Sequence, residues 1–260
     1  MSMLENKVAF ITGGASGIGA GTAKRFAQEG AKIVIADMHE EEGEKLRAEI
    51  ESSGAEVIYV DCDVSQPEAV KSAIDAAVAR FGRLDIVFAN AGINGVWTPV
   101  DELSPEEWDK TLNINLKGTF LTVHYAVPHL KAAGGGSIII TSSVNGTRTF
   151  STPGASAYST SKAGQVAFMK MVALELGRDN IRCNAVCPGA IHTNIHERTE
   201  QRDTEKLGIA VEMPQGSPAL NEGQGEPVDV ADTCLFLASD LGRHVSGVEI
   251  FVDGAASLLR

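Results

Sequence analysis

Residues 7–30 read KVAFITGGASGIGAGTAKRFAQEG, which contains a strand, a turn and a helix in that order. Residues 7–12 are apolar and partly β-branched, glycines follow at once, and the remainder has a helical composition that stops at Gly30. In such a turn the missing Cβ atoms let a diphosphate approach the backbone N–H groups at the helix N-terminus. The stretch therefore predicts a dinucleotide-binding unit whose turn, TGGASGIG, lies at residues 12–19.

The same alternation of strand and helix repeats along the chain. Further apolar runs lie at 32–36, 56–60, 84–89, 137–141, 181–187 and 248–252. Helices are predicted at 20–30, 39–54, 67–82, 104–133, 157–177 and 227–239. Strands that are apolar at nearly every residue are covered on both faces, which is typical of a parallel sheet between two helix layers. We predict an α/β fold, a single doubly wound Rossmann-type domain over residues 1–260, with a seven-stranded parallel sheet flanked by helices on both faces.

Residues 194–226 interrupt this regularity. The segment is polar and irregular, and prolines and glycines are concentrated near its end. A connection of this length is usually a lid, a binding loop or a disordered segment. Because it follows a strand end, where open α/β sheets bind ligands, we predict a substrate lid beside the active site. Its charged residues slightly favour a polar substrate, although a charge run is usually just a solvated face.

Composition excludes several classes of protein. The 260 residues include 22 basic and 34 acidic side chains, a net charge of -12, and 43% of the residues are hydrophobic. Such a surface repels phosphate backbones and anionic lipids, so we expect no nucleic-acid or membrane partner. There is no uncharged apolar stretch of about 18 residues and no secretory signal pattern, so we expect a cytoplasmic protein.

Cysteines and histidines give no metal-binding pattern. Cys62, Cys183, Cys187 and Cys234 are scattered, without a C-x-x-C pair, and we interpret them as buried free thiols. His192 and His196 are four residues apart, but the glutamate of H-E-x-x-H is missing. We predict no metal site.

Two acidic residues at strand ends are candidates for binding the adenosine of a dinucleotide. Asp37 follows the second strand, where a carboxylate accepts hydrogen bonds from ribose hydroxyls and repels a 2′-phosphate. Its neighbours Met38 and His39, and Ser16 in the glycine turn, offer no cation for that phosphate. Asp63 ends the third strand and is placed to meet the adenine amino group. The pattern predicts NAD rather than NADP.

A tyrosine and a lysine are candidates for proton transfer. Tyr158 precedes Lys162 by four residues, which places both on one face of a helix. A phenol has an ordinary pKa of about 10, and a nearby ammonium favours the phenolate, so we expect the pKa of Tyr158 to be lowered. Ser143, at the end of the apolar run 137–141, is placed to bind the same substrate oxygen.

These motifs together resemble the short-chain dehydrogenase/reductase family, from TGGASGIG at 12–19 to VDGA at 252–255. The resemblance implies a catalytic tetrad of Asn115, Ser143, Tyr158 and Lys162, in which Asn115 matches a residue that holds a water for proton relay. It also implies an Asn90-Ala91-Gly92 element that steadies the sheet and backs the adenosine ribose. Pro188-Gly189 matches a further element, after which Ile191 gives a backbone contact and Thr193 meets the nicotinamide carboxamide. The predicted cofactor-binding residues are Gly13, Ser16, Gly17, Ile18, Gly19, Asp37, Asp63, Val64, Asn90, Ala91, Gly92, Tyr158, Lys162, Pro188, Gly189, Ile191 and Thr193.

Two local departures from the family pattern stand out. Ala89 precedes Asn90 where many members have a second asparagine, and the interval from Ser143 to Tyr158 is about two residues longer than is common. The longer interval affects the expected pocket shape near Arg148 and Phe150. Neither departure alters the expected reaction.

The predicted function is an NAD(H)-dependent oxidoreductase that moves a hydride between nicotinamide and a secondary alcohol or ketone, with a sugar, a polyol or another polar alcohol among the candidate substrates. The first alternative is a 3-oxoacyl-(acyl-carrier-protein) reductase. Asp37 and the charge of -12 argue against it, because such reductases usually take NADPH and dock an acidic carrier through basic residues. The second alternative is a catalytically silent NAD-sensing protein.

The resemblance also implies a homotetramer. The family associates through the helix that carries Asn115, the helix that carries Tyr158 and the last strand. Apolar residues in these two helices are candidates for the interface, or else they face the sheet: Phe120, Val123, Val166, Phe168 and Met169.

Overall fold

A computed structural model describes residues 2–195, 197–209, 220 and 223–259. In this part of the chain nine strands occur at Val8–Thr12 (β1), Lys32–Asp37 (β2), Val57–Asp61 (β3), Ile86–Ala89 (β4), Val96–Trp97 (β5), Gly136–Thr141 (β6), Ile181–Pro188 (β7), Glu200–Gln201 (β8) and Glu249–Val252 (β9). The α-helices lie at Gly17–Gln28 (α1), Glu40–Ser52 (α2), Pro67–Phe81 (α3), Pro105–Leu112 (α4), Gly118–Ala132 (α5), Ser156–Leu176 (α6) and Pro227–Ala238 (α7).

Seven of the strands form one parallel sheet in the order β3-β2-β1-β4-β6-β7-β9. The predicted seven-stranded doubly wound sheet is confirmed. The order runs outward in both directions from β1 and β4, which are neighbours. At such a switch point the two sets of crossover helices lie on opposite faces, and a crevice opens beyond the carboxyl ends of the strands.

The strands are apolar throughout because each of their faces is covered by helices. Along β1, Val8 and Phe10 belong to one core, and Ala9 and Ile11 belong to the other. This alternation follows from the two-residue period of a strand. The first core includes buried side chains of α3, α5 and α6, and the second includes those of α1, α2 and α7.

The predicted continuous helix over 104–133 is wrong in its middle. A capping box at Ser104 and Glu107 starts α4, and five residues of π-helix, Asn113–Lys117, then separate it from α5. A π-turn adds one residue to a helical turn and shifts the face that the following residues present. Within this π-helix, the backbone carbonyl oxygen of Asn115 accepts two side-chain hydrogen bonds, one from Thr119 Oγ1 (2.7 Å) and one from Gln165 Nε2 (2.9 Å).

Part of the predicted lid, residues 194–226, is held against the chain that precedes α4. Strands β5 and β8, which the sequence pattern did not predict, pair in parallel as Val96 with Glu200 and Trp97 with Gln201. Arg202 then donates to both carboxylate oxygens of Glu107 (2.9 and 3.0 Å). The remaining lid residues 196, 210–219, 221 and 222 lie outside the described residues, so the prediction for His196 also falls outside them.

All four cysteines are buried and free. Within the described ranges no helix is both long enough and apolar enough to cross a membrane.

Candidate active site

A cleft of about 1080 Å³ opens along the carboxyl ends of the sheet strands. Its walls come from the turn after β1, the ends of β2 and β3, and the loops after β4, β6 and β7. All the predicted site residues line it except Gly19 and Asn115. A cleft of this size has room for a dinucleotide together with a small substrate.

The glycine turn is packed so closely that side chains do not fit. A Cβ on Gly13, which has φ +60, would lie 2.8 Å from Ala91 Cα, and a Cβ on Gly19 would collide with the Gly13 carbonyl oxygen. Helix α1 begins at Gly17, and its N-cap residue Ser16 makes no side-chain capping bond. The helix N-terminus therefore presents N–H groups to the cleft, which is the arrangement that a diphosphate needs. The turn fits a dinucleotide cofactor.

Asn90 ties three strand ends together behind this turn. Its Nδ2 donates to Thr12 O (3.1 Å) and Gly13 O (3.2 Å), and its Oδ1 accepts from Thr141 Oγ1 (2.9 Å). Because these partners lie at the ends of β1 and β6, Asn90 sets the distance between the glycine turn and the residues after β6. Ala91 and Gly92 follow it along the cleft wall.

Asp37 is buried at the rim of the cleft and is already hydrogen-bonded there. Its Oδ2 accepts from Ala15 N (3.0 Å), and its Oδ1 accepts from His39 N (3.1 Å) and faces His39 Nδ1 (2.9 Å). The carboxylate thereby joins the glycine turn to the residues after β2. Asp63 lies further along the cleft beside Val64, and its Oδ1 accepts from Ser65 N (2.9 Å).

Tyr158 and Lys162 lie on the first turns of α6 and face the cleft. The Tyr158 phenol is hydrogen-bonded to Ser143. Lys162 Nζ lies 5.6 Å from the centre of the Tyr158 ring and donates to Thr141 O (2.8 Å). The structure thus brings Ser143, Tyr158 and Lys162 together at the end of β6.

The expected lowering of the Tyr158 pKa is not found in the chain by itself. Burial raises the pKa of Tyr158, and the hydrogen bond from Ser143 only partly offsets that effect. Burial also lowers the pKa of Lys162 to about 8, because desolvation disfavours its ammonium form. The spacing of the two residues indicates the attraction between ammonium and phenolate, whereas the burial of both groups opposes their charged forms.

Asn115 is fully buried behind the cleft wall instead of lining the cleft. Its Oδ1 accepts from Ile93 N (2.8 Å), and its Nδ2 donates to Ile93 O (2.9 Å) and Ser161 Oγ (3.0 Å). A Cβ on Gly92 would lie 3.1 Å from Asn115 Oδ1 and 3.5 Å from Lys162 Nζ, so the two side chains flank the same glycine. Asn115 connects the loop after β4 to α6.

The segment after β7 crosses the cleft at the glycine turn. Gly189 N donates to Val252 O (3.0 Å), and a Cβ on Gly189 would lie 2.7 Å from Asp253 Cβ. Thr193 follows, and a Cβ on Gly17 would lie 3.1 Å from Thr193 Cγ2. Pro188, Ile191 and Thr193 all line the cleft.

Sequence reasoning missed several cleft residues. Asn94 and Trp97 line the part of the cleft near the lid, where Asn94 Nδ2 donates to Thr199 Oγ1 (2.8 Å). Arg198, the residue before Thr199, also lines the cleft, and its Nη1 lies 3.1 Å from His39 Nε2. The sequence pattern does not predict these contacts, because Asn94 and Thr199 are 105 residues apart in the chain, and His39 and Arg198 are 159 residues apart.

The sequence matches the model of a family described as Enoyl-(Acyl carrier protein) reductase over residues 13–256. It is 38% identical over 250 residues to cyclohexanol dehydrogenase of Acinetobacter sp. (strain SE19), covering 96% of this chain and 94% of that protein. Two solved structures are similar as well. A 3-ketoacyl-ACP reductase from Sinorhizobium meliloti 1021 gives a TM-score of 0.93 at 49% identity, covering 97% of this chain and 100% of that chain. A 3-ketoacyl-(acyl-carrier-protein) reductase from Brucella melitensis complexed with NADH gives a TM-score of 0.85 at 32% sequence identity. The match covers 98% of this chain and 99% of that chain.

The doubly wound sheet with a glycine turn at its switch point defines a nucleotide-binding α/β protein of the dehydrogenase class. Together with the family match, the extent of these similarities places the chain in a particular family. It belongs to the short-chain dehydrogenase/reductase family, whose members are oxidoreductases that use nicotinamide cofactors.

Proposed function

We propose that this protein is an NAD(H)-dependent oxidoreductase that interconverts a secondary alcohol and a ketone. The observation that carries the proposal is the grouping of Ser143, Tyr158 and Lys162 at one end of a cleft whose other end holds the glycine turn and Asp37. A proton-transfer group beside a dinucleotide cradle is the arrangement that hydride transfer to or from a carbinol carbon requires.

The residues of the cleft have distinct roles in this reaction. When bound, the nicotinamide supplies the hydride acceptor or donor at its C4 atom. Tyr158, as phenolate, takes the hydroxyl proton of the alcohol. The Ser143 hydroxyl, which is hydrogen-bonded to Tyr158 when no substrate is present, turns its single hydrogen to the substrate oxygen. Lys162 stabilises the phenolate through its positive charge, which matters because burial alone raises the pKa of Tyr158. In the reverse direction the phenol returns the proton to the developing alkoxide.

NAD rather than NADP is supported by the surroundings of Asp37. Its buried carboxylate lies at the rim of the adenosine end, where a 2′-phosphate would be repelled. The NADH complex named for the Brucella melitensis relative is compatible with this choice. Measuring kcat/KM of this protein with NAD and with NADP tests the preference for NAD. A higher kcat/KM with NADP would contradict it.

Reduction of a 3-oxoacyl thioester is the second candidate. It is favoured by the 49% identity to the Sinorhizobium meliloti protein named as a 3-ketoacyl-ACP reductase. The net charge of -12 argues against it, because an acidic carrier protein would be repelled. Assays with a panel of secondary alcohols and with a 3-oxoacyl thioester decide between the two. NAD binding without turnover of any substrate would instead favour a silent NAD-sensing protein.

We also propose a homotetramer. Three of the candidate interface residues are not available to a partner, because Val123, Val166 and Met169 are buried in the core of their own chain. Phe120 remains exposed, and further along the same pair of helices so do Met171 and Leu174. Apolar side chains exposed on neighbouring helices support association between copies of the chain.

A further inference from the structure

The side chains of His39 and Arg198 connect two parts of the cleft wall that are far apart in sequence. His39 follows β2 at the adenosine end, and Arg198 belongs to the segment after β7. Arg198 Nη1 lies 3.1 Å from His39 Nε2, and its Nη2 lies 3.9 Å from Glu42 Oε1 on α2. Arg198 therefore spans the outer edge of the cleft.

The chemistry of the two groups fixes the direction of each hydrogen bond. A guanidinium has only donors, so His39 Nε2 must be the acceptor. With Nε2 as acceptor, the ring hydrogen lies on Nδ1, which donates to Asp37 Oδ1 (2.9 Å). Since Asp37 Oδ2 accepts from Ala15 N, an unbroken series of hydrogen bonds runs from Arg198 to the glycine turn.

Described residues of the segment after β7 contact the adenosine end of the cleft at two places. Thr193 packs over Gly17 on one side, Arg198 contacts His39 on the other, and Ile195 lines the cleft between them. A dinucleotide that lay on the glycine turn with its ribose at Asp37 would lie beside both contacts.

We propose that Arg198 and His39 form a tether that holds the segment after β7 over the adenosine end and slows the release of NAD(H). The proposal rests on the proposed function, because it takes a nicotinamide dinucleotide as the ligand. Arg198 is a positioning residue here and takes no part in the proton transfer. In this role Arg198 acts on NAD(H) as well, because the tether does not need the 2′-phosphate that distinguishes NADP from NAD.

Stopped-flow release of NADH from the full-length protein tests the tether. We expect Arg198→Ala to raise the dissociation rate of NADH by about fivefold, the effect of losing one half-exposed hydrogen bond to a charged group. Arg178→Ala is the matched control. This exposed arginine precedes the amino end of β7, away from the cleft, and its replacement is expected to leave the rate unchanged.

A double-mutant cycle identifies the partner of Arg198. His39→Ala is expected to accelerate release as well, and His39→Ala/Arg198→Ala is expected to be no faster than the faster single variant, because both changes remove the same contact. Additive effects, or an unchanged NADH rate in Arg198→Ala, would overturn the tether. Faster release of NADPH with unchanged release of NADH would instead make Arg198 a ligand of the 2′-phosphate and would also overturn it. Absence of NADH binding in the unaltered protein would refute the proposed function itself.

Discussion

Tyr158 and Lys162 are pushed toward their neutral forms by the same burial. Desolvation raises the pKa of the phenol and lowers the pKa of the ammonium to about 8. The hydrogen bond from Ser143 acts the other way on Tyr158, because it stabilises the phenolate. In the proposed mechanism the oxidised nicotinamide ring, when bound, would supply a further positive charge that favours the phenolate.

These pKa directions predict opposite pH dependences for the two directions of the reaction. Alcohol oxidation needs the phenolate, so its kcat/KM is expected to rise with pH. The rise is expected to level off near pH 8, where Lys162 loses the charge that supports the phenolate. Ketone reduction needs the phenol and is expected to fall over the same range. Initial rates from about pH 6 to about pH 10 check both profiles, and parallel profiles in the two directions would contradict this assignment of roles.

At the scale of single elements, the segment after β7 is anchored by charge. Glu107 accepts two hydrogen bonds from Arg202 and also caps α4, and these contacts lower its pKa to about 2. Lys206 adds an ion pair with Glu102 (2.9 Å). The sequence favours a polar substrate slightly on the basis of the charged lid residues. In the structure, Arg202 instead binds Glu107 and thereby holds the segment after β7 against α4.

Neutralising Glu107 is expected to loosen this segment. In Glu107→Gln the Arg202 guanidinium loses the ionised partner that accepts from both of its Nη atoms and keeps only the longer carboxylate contact with Glu200, so trypsin is expected to cut after Arg202 about threefold to tenfold faster. Glu106→Gln is the control, because this carboxylate is exposed on the same helical turn. Mass spectrometry follows the cleavage, and equal cleavage rates in the two variants would show that the anchor has no effect.

The anchor is also expected to depend on pH, because the pKa of Glu107 is lowered. The stabilisation by the ionised carboxylate is present above the ordinary glutamate pKa of about 4.3 and is lost as the pH falls toward about 2.

For the whole molecule, the parts of the fold that could be predicted are those that depend on burial patterns. The seven strands were recognisable because runs such as 7–12 and 137–141 are covered on both faces and are apolar throughout. The glycine turn could be predicted for a steric reason, since Gly13 and Gly19 have no room for a Cβ. The positions of four site residues at the carboxyl edge of the sheet could be predicted, because each one ends a strand, follows a strand or lies in the first turns of a helix there: Asp37, Ser143, Tyr158 and Lys162.

The features that were missed depend on contacts across the chain. The pairing of β5 with β8 rests on two residues in each strand, too few to give a periodic pattern. The π-turn around Asn115 leaves the helical composition of 104–133 unchanged, and it is supported by Gln165, 50 residues away. The directions of the Tyr158 and Lys162 pKa shifts follow from burial, which the spacing of two residues does not reveal.

Association is the prediction that concerns the whole molecule. Phe120 on α5 and Met171 and Leu174 on α6 leave apolar surface exposed, and covering it with other copies of the chain removes it from water. Light scattering at micromolar concentration is expected to report four times the chain mass of 27.4 kDa. A particle of 27.4 kDa under these conditions would contradict the tetramer.

The variant Tyr158→Phe tests most directly whether Tyr158 carries the proton. The change removes the proton-carrying hydroxyl and leaves the glycine turn and Asp37 intact, while Tyr125→Phe on α5 serves as the matched control. We expect Tyr158→Phe to bind NADH as the unaltered protein does, with turnover of the alcohol reduced by about 100-fold or more. The Tyr125 variant is expected to keep its turnover. Near-normal turnover and an unchanged pH profile in Tyr158→Phe would contradict the mechanism.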